Sequence, residues 1–289
     1  MNWNGDSKPR SFFDLIDQDL GPNPCYVEPG ILIKRGTLLF GGHAKSGKSF
    51  LGLEMARALA SGFSPFDYKE FTIPVQVKVL FIEQELGEYG LKKRLDKLYE
   101  KEDRENFEDR LQYLSKDPQL KLDTMKGVET ICRKIEDCQP NVVIFDPAGK
   151  MHSLDENSNS DMEKLFYNIE WIKDKYKSLD LSVIMSHHFG KPPFIPPGQQ
   201  STHDPLSPYN FRGASKWFDA PDTLVTMIKT RNLNTEHKAW ELKTRWTLRH
   251  DEEPPDMVLS VNRLDDLRVR YERKGGSLPS LEIVKKATG

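Results

Sequence analysis

The chain has 289 residues, 37% of them hydrophobic and 30% charged, with a net charge of −2. That length suits one large domain or two small ones and can bury a sizeable core. The near-neutral balance excludes a globally basic nucleic-acid binder, while leaving room for a local basic patch or a channel formed in an oligomer. Three cysteines, Cys25, Cys132 and Cys138, are an odd set at spacings that fit no zinc motif. The first ten residues carry no apolar signal region, and no apolar run is long enough to span a membrane. The expectation is therefore a reduced, cytoplasmic protein without a membrane partner.

In chain order, residues 1–10 read as a polar leader. Residues 11–17 predict a short helix with Ser11 and Asp14 as a capping pair and with Phe12, Phe13, Leu15 and Ile16 as apolar surface. A connector with Pro22, Pro24 and Pro29 follows. Residues 1–30 form an arm that packs on its own domain or on a neighbouring subunit.

Residues 31–40 lead, through the apolar run 37–40, into Gly42, His43, Ala44, Lys45, Ser46, Gly47, Lys48 and Ser49. This is the pattern Gly-x-x-x-x-Gly-Lys-Ser, followed from Phe50 by a stretch rich in Ala, Leu and Met that predicts a helix ending at Gly62. Strand, glycine loop and helix together are the context that a phosphate-binding loop needs. Gly42 and Gly47 let the backbone curl so that N–H groups point at phosphates, and the helix start adds its positive dipole end. Lys48 would reach the β- and γ-phosphates, and Ser49 would bind Mg²⁺. The cofactors expected are ATP and Mg²⁺.

Residues 77–82 read as a strand that exits into Glu83, Gln84 and Glu85, where an open α/β sheet holds its ligand. From position alone either acid could act. A helix over 91–98, a polar segment over 100–110 and a short strand over 111–114 follow. Residues 124–138 predict a helix, because Val128, Ile131, Cys132 and Ile135 fall at helical spacing. Residues 141–146 form a second apolar strand ending in Asp146, which would hold Mg²⁺ beside Ser49. A helix over 158–177, capped by Ser160 or Asp161, leads to a third strand over 181–186 that ends in His187 and His188.

Residues 190–211 are a long connection with six prolines and little periodicity. Lys191, Phe194, Tyr209 and Phe211, with Arg212 beyond, suit single-stranded nucleic acid through phosphate contacts and base stacking. They fit a solvated surface loop equally well. A short helix at Trp217 and Phe218 precedes a strand over 223–228 that ends in Lys229, Thr230 and Arg231. Residues 238–248 and 257–262 alternate apolar and polar, as antiparallel edge strands do. Residues 277–286 suggest a small helix. The domain reading is an arm over 1–30, an ATPase domain over 31–265 and a tail over 266–289.

Taken in order, the phosphate loop, the strands ending in Glu85, Asp146 and His187-His188, and Arg212-Gly213-Ala214-Ser215 resemble a RecA-like ATPase core. The fold class this implies is an α/β P-loop NTPase with a mostly parallel central sheet, helices on both faces and antiparallel C-terminal edge strands. Within that class the chain is similar to hexameric helicases of the plasmid RepA kind, and more distantly to DnaB-type replicative helicases. Asp155-Glu156-Asn157, His187-His188-Phe189-Gly190-Lys191 and the segment from Leu248 to Pro254 carry that resemblance as well.

The resemblance implies that Glu85 orients or deprotonates the attacking water. It implies that His188, or His187, couples the γ-phosphate to the DNA-binding loop beyond it. Loops 149–160 and 190–211 would face the channel of a ring. The family's arginine-finger position looks like Asp222, an acid, so the finger is expected instead from Lys229 and Arg231 acting in a neighbour's site. The activity implied is that of an ATP-driven DNA helicase or translocase that works as a homo-oligomer, a hexamer. Single-stranded DNA, and a primase or initiator protein, are its expected partners. The alternative is a loading or regulatory ATPase on the same fold.

Overall fold

The computed structural model describes residues 11–19, 21, 24–99, 107–190, 204–234, 239–261 and 269–272. A five-residue helix α1 (Phe12–Ile16) is capped by the Ser11 hydroxyl, which accepts from the Phe13 N–H, and none of its residues is buried. Strands β1 (Cys25–Val27) and β2 (Leu32–Ile33) pair antiparallel, a hairpin that the proline content of this segment conceals. Then come β3 (Thr37–Gly42), α2 (Lys48–Ser61), β4 (Val79–Glu83), α3 (Gly87–Leu98), β5 (Leu111–Ser115) and α4 (Met125–Cys138). They are followed by β6 (Val142–Asp146), α5 (Asn159–Lys175), β7 (Ser182–His188), α6 (Lys216–Asp219), β8 (Thr223–Asn234), β9 (Ala239–Leu248), β10 (Met257–Val261) and β11 (Val269–Glu272).

Strands β3 to β11 form one nine-stranded sheet in the order β11-β10-β9-β8-β3-β7-β6-β4-β5. The six strands from β8 to β5 run parallel, and β9, β10 and β11 add antiparallel at one edge. Strands β3, β4 and β6 are buried along their whole length, which explains their continuous apolar runs. Alternate residues serve two cores. Leu38, Phe40, Phe81, Val142 and Ile144 pack with α2 and α3 on one face. Leu39, Leu80, Val143 and Phe145 pack with α4 and α5 on the other. The α/β P-loop NTPase architecture is therefore present, with helices on both faces.

Most elements lie where the pattern places them. Gly62 closes α2 in the left-handed region at φ 78°, as a C-cap glycine should. Besides the β1–β2 hairpin, three details differ. The cap of α5 is Ser158, whose hydroxyl accepts from the Asp161 N–H; Ser160 and Asp161 lie inside the helix. Strand β8 continues six residues beyond 228, because β9 pairs with it through Asn234. Strand β11, pairing with β10, has no counterpart among the sequence expectations. The small helix expected over 277–286 lies outside the described residues. Among the described residues no helix is long and apolar enough to cross a membrane.

Candidate active site

The register brings the functional segments to one edge of the sheet. Gly42 pairs with His188 and with Met227, and Glu83 pairs with Asp146. Gly42, Glu83, Asp146 and His188 each end a parallel strand, at the edge where open α/β sheets bind ligands, and Met227 of the longer β8 lies level with Gly42.

The glycine loop spans from β3 to α2. Gly47, at φ 107°, is the N-cap of α2, and no side chain caps that helix start. Lys45 is also left-handed, at φ 62°. Gly42 has no room for a side chain, since a Cβ there would lie 2.6 Å from Ser46 Oγ. The arrangement presents helix N–H groups to an anion. His43 and Ser49 are half-buried, Ala44 and Lys45 exposed, and Ser46 and Phe50 buried.

Lys48 is 6% exposed. Its Nζ donates to the carbonyls of Gly42 and His43, each at 2.9 Å, and lies 3.1 Å from His188 Nδ1. Burial lowers its pKa to about 8, against the attraction of Asp146 and Glu85. Asp146 is buried and accepts from the Ser186 hydroxyl at 2.5 Å. Burial raises its pKa, while hydrogen bonds from Ser186 and Ser49 and the charges of Arg94 and Lys48 oppose the shift. A hydroxyl and a desolvated carboxylate already in contact make an oxygen donor pair suited to Mg²⁺, which takes one or two protein oxygens plus phosphate. Ser49 and Asp146 would hold the ion, and it would neutralise phosphate charge when bound.

The structure separates Glu83 from Glu85. Glu83 is 1% exposed, and its carboxylate accepts from the backbone N–H groups of Glu85, Leu86 and Gly87 and from the Ser115 hydroxyl. Glu83 is thus spent on the start of α3. Glu85 stays exposed, near enough for its charge to act on Lys48.

The two histidines also part. His188 faces Lys48, and burial and that cation together hold its pKa below the ordinary imidazole value. A neutral ring can accept from Lys48 at Nδ1. His187 points into the core, stacked 3.8 Å from Trp217, with Phe211 on a parallel plane at 6.2 Å. Its Nε2 lies 2.9 Å from the Arg212 carbonyl, and burial lowers its pKa to about 3. The neutral ring donates through Nε2 to that carbonyl.

The ends of the connection 190–211 are clasped together. Gly190 N–H donates to the Asn210 carbonyl, and Arg212 N–H to the His188 carbonyl. Lys191 and Phe194 lie outside the described residues. Arg212 Nε is 3.4 Å from Glu156 Oε2, and Ala214 N–H donates to the Glu156 carbonyl. Gly213 sits at φ 98°, where a Cβ would lie 2.0 Å from that same carbonyl. The segments resembling family signatures therefore pack directly against each other.

Lys229 is exposed, two residues past the pairing of Met227 with Gly42. The Arg231 backbone opposes Glu241 on β9, and its side chain lies outside the described atoms. Asp222 is at the opposite end of the sheet, accepting from the Thr37 N–H at 2.8 Å and lying 3.0 Å from His250 Nε2. Its role there is to pin the starts of β3 and β8. Ser186 and Ser115 are site residues that sequence reasoning misses. Each is a small hydroxyl in a strand, and only the neighbouring carboxylate reveals its use.

A family model for the AAA domain matches residues 7–193, and no curated protein matches the chain. The match spans about two thirds of the sequence and includes the phosphate loop, Glu85, Asp146 and His188. The chain belongs to the AAA domain family of P-loop nucleoside triphosphatases.

Proposed function

We propose that this protein is an ATP-driven motor on single-stranded DNA, a helicase or translocase that works as a ring, with Mg²⁺ as its metal. The observation that carries the reading is the direct path from the nucleotide site to the loops. Lys48 touches His188, the His188 carbonyl holds Arg212, and Arg212 meets Glu156 of the other loop. Nucleotide that draws Lys48 Nζ to its phosphates takes it from His188, and the bases of both loops feel the change.

In this mechanism Lys48 binds the β- and γ-phosphates, and Ser49 and Asp146 hold the metal. Glu85 positions the attacking water, and His188 senses the γ-phosphate. Positioning and charge stabilisation supply most of the rate in phosphoryl transfer. ATP sits between subunits, and Lys229 and Arg231 of one subunit complete the site of the next. Such a finger is worth about 10³–10⁵ in rate. Arg231→Ala is expected to cut ATP hydrolysis by at least about a hundredfold on that scale. Lys69→Ala, an exposed cation elsewhere, serves as the control. A loss no larger than the control's would remove Arg231 from the mechanism. Strand displacement on a forked duplex then separates a helicase from a translocase.

A further inference from the structure

The connection after β7 returns to the sheet as a pinned segment. Asp204 accepts from Arg245 of β9, and the Thr226 hydroxyl of β8 donates to the carbonyl of the buried Leu206 at 2.6 Å. Asn210 Nδ2 donates to the Asp204 carbonyl at 3.0 Å. Phe211 is buried, its ring in the space that a side chain on Gly41 would take, and it meets Phe189 edge to face at 5.3 Å. Tyr209 stands between these anchors on a single turn, Pro208–Asn210, and its N–H donates to the Ser207 hydroxyl. It is nevertheless 75% exposed. Its ring is braced by Phe218, just after α6 begins, edge to face at 4.9 Å and 73°. The core therefore consumes Phe211 and leaves Tyr209 facing outward on a fixed backbone. Arg212 follows three residues later, 63% exposed although it pairs with Glu156, and Lys216 precedes the bracing Phe218 by two residues.

We infer that Tyr209 is a stacking platform for a base of single-stranded DNA. A ring that is already ordered gives up little side-chain entropy when a flat ligand settles on it. An aromatic face accepts any base, so the contact is tolerant of sequence, as a strand passing through a motor requires. The cations at Arg212 and Lys216 suit the phosphates that accompany such a base. This inference rests on the reading of the protein as a motor on single-stranded DNA. To that reading it adds a contact to the bases themselves and the residue that makes it.

The test is fluorescence anisotropy on the full chain with Mg²⁺ and a non-hydrolysable ATP analogue. Two labelled probes are compared: a mixed-sequence DNA strand and an abasic strand of the same length. Tyr209→Ala is expected to weaken binding of the mixed-sequence strand by at least about fivefold, the lower end for loss of one stacked base. On the abasic strand it should stay within about twofold of the wild type, because phosphate contacts do not need the ring. Tyr209→Trp restores an aromatic face and should restore the preference for the strand with bases. A misfolded Tyr209→Ala protein, seen by circular dichroism, leaves the question to Tyr209→Leu, which keeps an apolar contact to Phe218 and should show the same selective loss. Binding of the mixed-sequence strand within about twofold of the wild type, or an equal loss on both strands, would overturn the inference and leave the motor reading standing. A wild type that binds neither strand would overturn both.

Discussion

Two acids two residues apart carry opposite burdens. Glu83 is buried under three backbone N–H groups and a serine hydroxyl, whereas Glu85 is exposed at the rim of the site. Glu85→Gln is therefore expected to retain nucleotide binding and to lower the hydrolysis rate by at least about a hundredfold, as for loss of a residue that positions water. Glu83→Gln weakens charge-assisted bonds to the start of α3 and should cost about 2 kcal/mol of stability, read from urea denaturation. A reversed pattern would exchange the two roles.

Lys48 gives a pH signature. Burial holds its pKa near 8 in the free protein, and bound phosphates would raise it again. Nucleotide binding should then take up a proton above pH 8, and affinity should fall as the pH rises past that value. Calorimetry in two buffers of different ionisation enthalpy measures the uptake. Lys48→Arg stays charged through this range, so any affinity it retains should be flat with pH.

At the scale of elements, the central strands were readable because both faces of each are buried, which leaves near-continuous apolar runs ending in polar residues. The long helices were readable from their period. What stayed hidden was tertiary. The strand pattern treats Glu83 and Glu85 alike, and His187 and His188 alike; the turn into α3 and partners from β5, α2 and α6 set them apart. The hairpin β1–β2 hides in a proline-rich segment, and the length of β8 depends on pairing with β9.

Helix α6 shows how a short element can matter. Its Trp217 is fully buried, against Phe166 and His187. Trp217→Ala should cost about 3–5 kcal/mol by leaving a cavity under the loop bases. Urea unfolding reads the cost, and a loss under about 1 kcal/mol would mean that the stack does not anchor this region.

For the whole molecule, the near-neutral charge and the single sheet edge shared by loop, acids and histidines suit a machine whose cations face inward in an assembly. The direct measurement is ATP hydrolysis with and without single-stranded DNA, together with the mass of the assembly in ATP, with Lys48→Ala and Glu85→Gln alongside. The motor reading predicts a ring whose hydrolysis rises with single-stranded DNA and is lost in both variants. Assembly in ATP with no stimulation by any nucleic acid would contradict it and would point to a loading or regulatory ATPase.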